Sequence, residues 1–264
     1  MIHLTAVIGS GAKLGEKVEI GPHTIVGGEV IIGDGTIIGA NAIIEGEVVI
    51  GRGNRIGHGT IIGGEPQDVS FSPSRRSRVE IGDNNLVREY CTIHRGTIEG
   101  SATRIGDENF LMAGVHVGHN CDVGNKTIIA NNVLLGGNVT VADWAFLGGG
   151  TTFHQNMRVG RLVMVQGSSA FGRDLPPFTL AAERNAVFGL NIVGLRRAGF
   201  SAAQRDEIKR AFKLLYLSGL NTRQALERSR EMEWTKLGCE FFDFVEKVGK
   251  RGICPYRRHE SVED

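Results

Sequence analysis

The chain is short of most features that announce a fold. Only 6 of its 264 residues are proline and 6% are aromatic, which excludes a proline-rich linker protein and argues against a core of bulky rings. The four cysteines, Cys91, Cys121, Cys239 and Cys254, include no CxxC pair, so the usual zinc and redox signatures are missing, and they are too few to staple a small secreted domain. They are expected to be reduced, with Cys91 and Cys121 packed inward. No charge sign dominates, with 30 basic side chains against 29 acidic ones, so the bulk field calls for no nucleic acid and no anionic membrane. No apolar run approaches the roughly 20 residues needed to cross a bilayer, and Met1 to Ile20 lacks the basic-then-apolar order of a secretory leader. A cytoplasmic protein without a transmembrane segment is the expectation.

What the chain has in excess is glycine: 38 residues, about twice the ~7% of ordinary proteins. They keep a schedule. An aliphatic residue recurs every six positions from Ile8 through Leu14, Ile20, Val26, Ile32, Ile38, Ile44, Ile50 and Ile56 to Ile62, and nine of these ten are followed by glycine. The frame resumes at Ile81, Val87 and Ile93, then runs from Ile105 to Phe171, with Glu99 as a single mismatch. Four residues after each aliphatic comes a second small or β-branched side chain, as at Val18, Thr24, Val30, Thr127 and Val133. A period of six is the mark of a parallel β-helix, in which one repeat cannot bury its apolar residue alone and stacking is obligatory. With three repeats to a coil, residues 18 apart stack about 4.8 Å apart.

Residues 64–80 interrupt the frame with Pro66, Pro73 and three arginines, and a loop this long in so regular a solenoid suggests a task. Past Pro176-Pro177 the rhythm ends, and from about Asn191 the pattern is helical. Ser201 with Gln204 forms a capping box ahead of an Ile208, Ala211, Phe212, Leu215 stripe, and Gly219 supplies a stop. A second helix is expected from Asn221 and a third carrying Trp234, Leu237, Phe241 and Val245. The division expected is therefore 1–189 as β-helix with its inserted loop and 190–264 as a small α-helical domain. The helical part holds 15 basic against 11 acidic residues and the rest 15 against 18, so the basic excess could attract an acidic carrier.

Stacking turns spacing into geometry. His119, Gly137 and Gln155 are 18 apart and share one column, His154 stands beside Gln155, and His116 precedes His119 by three. That grouping suits acyl transfer to an alcohol. A histidine can take the hydroxyl proton near neutral pH, and a glycine N–H, with no side chain to block it, can receive the oxyanion.

Five segments make a resemblance specific: IHRGT at 93–97, HVGHNCDVGN at 116–125, HQ at 154–155, DLPPF at 174–178 and GLNIVGLRRAGF at 189–200. With the loop at 64–80 they resemble the UDP-N-acetylglucosamine O-acyltransferase family, whose reaction opens lipid A biosynthesis. The resemblance covers almost the whole chain. It implies a left-handed β-helix, an exception to the right-handed crossover rule, and a homotrimer with clefts between subunits. It also implies transfer of a 3-hydroxyacyl group from acyl carrier protein to the 3-position of a UDP-sugar. On that resemblance His119 is the general base and Gly137 the oxyanion donor. Gln67 and Asp68 meet the sugar, His116, His154 and Gln155 line the cleft, Asn191 and Arg197 hold the nucleotide, and Gly167 limits acyl length. No metal or cofactor is implied.

Four positions depart from the family. Asn120 follows the base where an acid is usual, so it orients imidazole through its amide oxygen without stabilising imidazolium by charge, which implies a slower proton transfer. Ser70 replaces a loop lysine, Val193 an acidic nucleotide contact and Asn138 a cleft histidine. A 3-amino acceptor yielding an amide therefore stays open beside the hydroxyl sugar, as does a non-catalytic sugar-nucleotide-binding trimer. A third reading, a γ-carbonic-anhydrase-like hydratase using His94, His116 and His119 around zinc, leaves the helical tail unexplained.

Overall fold

The computed structural model describes residues 1–258. Strands of mostly two residues stack into three parallel sheets, the faces of a triangular prism. The first face has nine strands, from Val7–Ile8 to Ala170–Phe171, and the second eight, from Lys13–Leu14 to Arg158–Val159. The third has ten, from Glu19–Ile20 to Thr179–Ala182, closed by the antiparallel strand Ala186–Leu190. This is the left-handed parallel β-helix of hexapeptide repeats, with a small α-helical region after it.

The six-residue unit explains itself physically. The repeat aliphatics point inward and are buried, from Ile20 to Phe171, and the small residues four places later fill the gaps between them. Where a glycine follows the aliphatic, it stands where coils meet: a Cβ on Gly21 would lie 2.7 Å from the backbone of Gly39 and Ala40. Two residues further on, the turn takes a left-handed backbone, and asparagine, which tolerates it best after glycine, holds that place at Asn41, Asn84, Asn120, Asn132, Asn138 and Asn156.

Register shows where the prism departs from 18 residues per coil. His116 pairs with Leu134 and Leu134 with Thr152, both 18 apart. Ile62 pairs with Ile93, 31 apart, and Thr92 with His116, 24 apart. Two successive coils are thus lengthened, both at the corner between the first and second faces. The first excursion is narrower than expected, because Gly64 ends the strand Ile61–Gly64 and Arg78 begins Arg78–Ile81; it spans 65–77. The second, between Thr92–His94 and Ala102–Ile105, corrects the single-mismatch view of Glu99. That repeat leaves the prism altogether.

Four helices follow: α1 (Ile192–Arg197), α2 (Ala202–Tyr216), α3 (Thr222–Ser229) and α4 (Lys236–Glu246). Ser201 and Asn221 each close a capping box. Trp234 lies ahead of α4, not on it, and packs against Phe242 at 5.1 Å between ring centroids. The helices share a second core with Leu162 and Phe178 of the prism end. The tail then returns, with Ile253 bridging Asp174 and Tyr256 bridging Val187. The expected boundary at 189/190 falls inside the strand Ala186–Leu190.

Candidate active site

The corner that carries both excursions also carries the histidines. His119 follows the strand His116–Val117 by two residues, and Gly137 and Gln155 hold the same place one and two coils on. The close approach is tight enough that a methyl on Gly137 would overlap Nε2, Cε1 and Cδ2 of the His119 ring. Gly137 N–H donates to no group among the described residues, while its neighbour Asn138 gives its N–H to His119 O at 2.8 Å. Imidazole edge and open amide face one cavity of about 300 Å³, lined also by Gln67, His116, His154 and Gln155.

The other side of the His119 ring is held. Its Nδ1 lies 3.0 Å from Asn120 Oδ1. The same oxygen accepts from Thr97 N and Thr97 Oγ1, each at 3.0 Å. A backbone N–H can only donate, so the amide end there is the oxygen. Nδ1 therefore carries the proton, and Nε2 presents its lone pair toward Gly137. Asn120 is also a turn residue, with φ 59° and its own N–H on Thr103 Oγ1 at 2.8 Å.

Sequence reasoning placed His94 only in the zinc alternative, but it lines this cavity. Its ring meets that of His116 edge-on at 4.9 Å, and His116 Nδ1 pairs with Thr92 Oγ1 at 2.8 Å. Burial, with smaller contributions from His116 and His119, pushes His94 down to about 4, and burial also lowers His116. His94 Nδ1 is buried without a partner. Both rings are thus kept neutral beside His119. Among the described residues of the single chain no three His, Cys, Asp or Glu side chains gather in a metal-holding group. Cys121 gives its thiol to Gly136 O, and burial raises it to about 12 and Cys91 to about 11. Neither thiol is a nucleophile here, and both pack inward as expected.

The remaining candidates do not line this cavity. Asp68 accepts from Ser70 N and Ser70 Oγ at 2.8 Å each, and these bonds, more than His119 or Arg75 nearby, hold its carboxyl below the ordinary value. Asn138 is an exposed turn residue. Gly167 sits at a different corner, where an added Cβ would come 3.0 Å from Gly149 O. Asn191 and Arg197 line a second cavity of about 650 Å³ with Trp144, Phe146 and Val193. The Asn191 amide is committed inside the chain: Oδ1 caps α1 by accepting from Gly194 N, and Nδ2 donates to Leu162 O, both at 2.9 Å.

A family model described as UDP N-acetylglucosamine O-acyltransferase, domain 2, matches residues 174–254, and a bacterial transferase hexapeptide model matches 29–64 and 102–137. The chain is 50% identical to the acyl-(acyl-carrier-protein)--UDP-N-acetylglucosamine O-acyltransferase of Thiobacillus denitrificans over 83% of this chain and 85% of that protein. For the enzyme of the same name from Paraburkholderia phymatum the identity is 45% over 88% of each. The solved UDP-N-acetylglucosamine acyltransferase of Campylobacter jejuni superposes with a TM-score of 0.91 at 37% identity, covering 97% of this chain and all of that one. The chain belongs to the UDP-N-acetylglucosamine O-acyltransferase family.

Proposed function

We propose that the protein transfers a 3-hydroxyacyl group from acyl carrier protein to the 3-hydroxyl of UDP-N-acetylglucosamine, the opening step of lipid A biosynthesis. The observation that carries this reading is that Gly137, whose N–H has no partner among the described residues, and the Nε2 end of the His119 ring against it line one cavity. His119 Nε2 takes the proton of the sugar hydroxyl as its oxygen attacks the thioester carbon. The Gly137 N–H receives the charge on the tetrahedral oxygen. Collapse expels the carrier thiolate, which the new imidazolium protonates, returning His119 to its starting tautomer. Gln67, Asp68, His116, His154 and Gln155 orient the sugar and the acyl group.

The chain acts as a cytoplasmic homotrimer in this reading. The second cavity supports it, because Ile128, Trp144 and Val193 stand 38%, 48% and 57% exposed around Asn191 and Arg197, an apolar patch of the kind that copies of a chain bury. There Arg197 and the backbone around Asn191 hold the nucleotide, and Gly167 sets acyl length at the cleft wall. The carrier docks on the helical region, where Arg196, Arg205, Lys209 and Lys213 line a groove together with Asp206, Phe212 and Leu217.

A panel of 3-hydroxyacyl carrier thioesters incubated with UDP-N-acetylglucosamine and its 3-amino analogue, read by mass spectrometry, tests the reading. An ester on the 3-position is the expected product. An amide product alone would move the acceptor to the amino sugar, and UDP-sugar binding without thioester consumption would leave only a binding protein. Light scattering checks the trimer.

A further inference from the structure

We propose that Thr97 is a positioning residue that locks the amide of Asn120 and thereby the tautomer of His119. The proposal rests on His119 being the general base. An asparagine has two unlike ends, where a carboxylate has two alike. With Oδ1 toward the ring, Nδ1 of His119 carries the proton and Nε2 is free to take another. With Nδ2 toward the ring, Nδ1 must accept, the proton moves to Nε2, and the base is gone. One half-turn of the Asn120 amide thus switches the site off.

Thr97 decides between the two. Its N–H and Oγ1 both reach the Asn120 atom that faces His119, each at 3.0 Å; an amide nitrogen there would set donor against donor at the N–H and take from the hydroxyl proton its acceptor. Thr97 is buried and is itself held: Arg75 Nη1 donates to Thr97 O at 3.1 Å, and Ser77 Oγ to Gly96 O at 2.6 Å. The six extra residues of this coil bring Thr97 to that place; a coil of 18 has no residue to put there. The lock is therefore built from the second excursion and pinned by the first, the loop that also carries Gln67 and Asp68.

The test pairs kinetics with a tautomer measurement. Thr97→Val removes the Oγ–H donor at nearly constant volume, and kcat/KM is expected to fall about tenfold, the weight of one ordinary hydrogen bond on the orientation of the amide. Thr97→Ser should retain the parent rate within about twofold. In Asn120→Asp, whose oxygens are equivalent, Thr97→Val should cost no more than about twofold. ¹⁵N spectra of histidine-labelled, substrate-free protein should show His119 as the Nδ1–H tautomer in the parent and in Thr97→Ser, and as a mixture in Thr97→Val. An equal loss in both the Asn120 and Asn120→Asp backgrounds, or unchanged His119 resonances in Thr97→Val, overturns the lock. The spectra need no turnover, so a protein that transfers no acyl group would refute the proposed function while the resonances still decide this proposal.

Discussion

Two corners of the prism use the same turn position for opposite ends. Between the second and third faces, the residue two places after the aliphatic is usually one whose side chain accepts the N–H of its counterpart in the preceding coil. Asp34 accepts from Glu16 N, Asp83 from Arg52 N, Asp107 from Asp83 N, Asn125 from Asp107 N and Asp143 from Asn125 N, all at 2.7–2.8 Å. Between the first and second faces, the same position reads His119, Gly137, Gln155, and the Gly137 N–H is left open. The turn geometry leaves a spare amide at every such place. One corner spends it on stability, and in the proposed mechanism the other holds it for a substrate.

The strongest way to break this contrast is to remove the imidazole. His119→Ala should lower acyl transfer by about 10³-fold or more while light scattering reports unchanged assembly; a near-parental rate would detach the column from catalysis. Gly137→Ala drives a methyl into the ring that Nε2 belongs to, and a loss of about 10²-fold is expected, read with the same thioester assay. The contrast sharpens if the cap is transplanted. Gln155→Asp gives the catalytic corner the acceptor of its neighbour, which should close over the Gly137 N–H, slow turnover about tenfold and raise stability by about 0.5–1 kcal/mol. Chemical denaturation and rate must move in opposite directions for the idea to hold.

Two smaller effects concern stability alone. His94 and His116 have pKa values depressed in the folded state, so the unfolded chain binds their protons first. Their contribution is complete above the unfolded value of about 6.5 and is lost as pH falls toward about 4, the folded value of His94. The thermal midpoint should drop across that window, and His94→Gln should flatten part of the slope. Asp107→Ala uncaps Asp83 N–H at the structural corner and should cost about 1 kcal/mol by denaturation with kcat/KM unchanged.

The period of six made the prism, its inward residues and the His119–Gly137–Gln155 column legible, because every coil from Leu111 to Phe171 keeps the 18-residue register. It could not reveal the lengthened coil at 95–101. An insertion of six residues leaves a period of six in frame, so Glu99 reads as one poor match when it marks a whole repeat outside the wall. That concealment hid His94 from the catalytic column's neighbourhood, since the true register sets Thr92 beside His116, and it hid Thr97. Asn191 has a duty the helical pattern does announce: placed at its start, the side chain serves the cap that position favours, accepting from Gly194 N. Gly167 and Arg197 do not line the His119 cavity; under the proposed function the cleft they belong to needs a second copy of the chain.

Both excursions leave the wall at one corner and rejoin it in the register they left. The sheets on either side do not sense how long these detours are. Over evolutionary time their length and content can drift almost independently of foldability, so a loop residue such as Ser70 can change and retune which acceptor is served without rebuilding the scaffold.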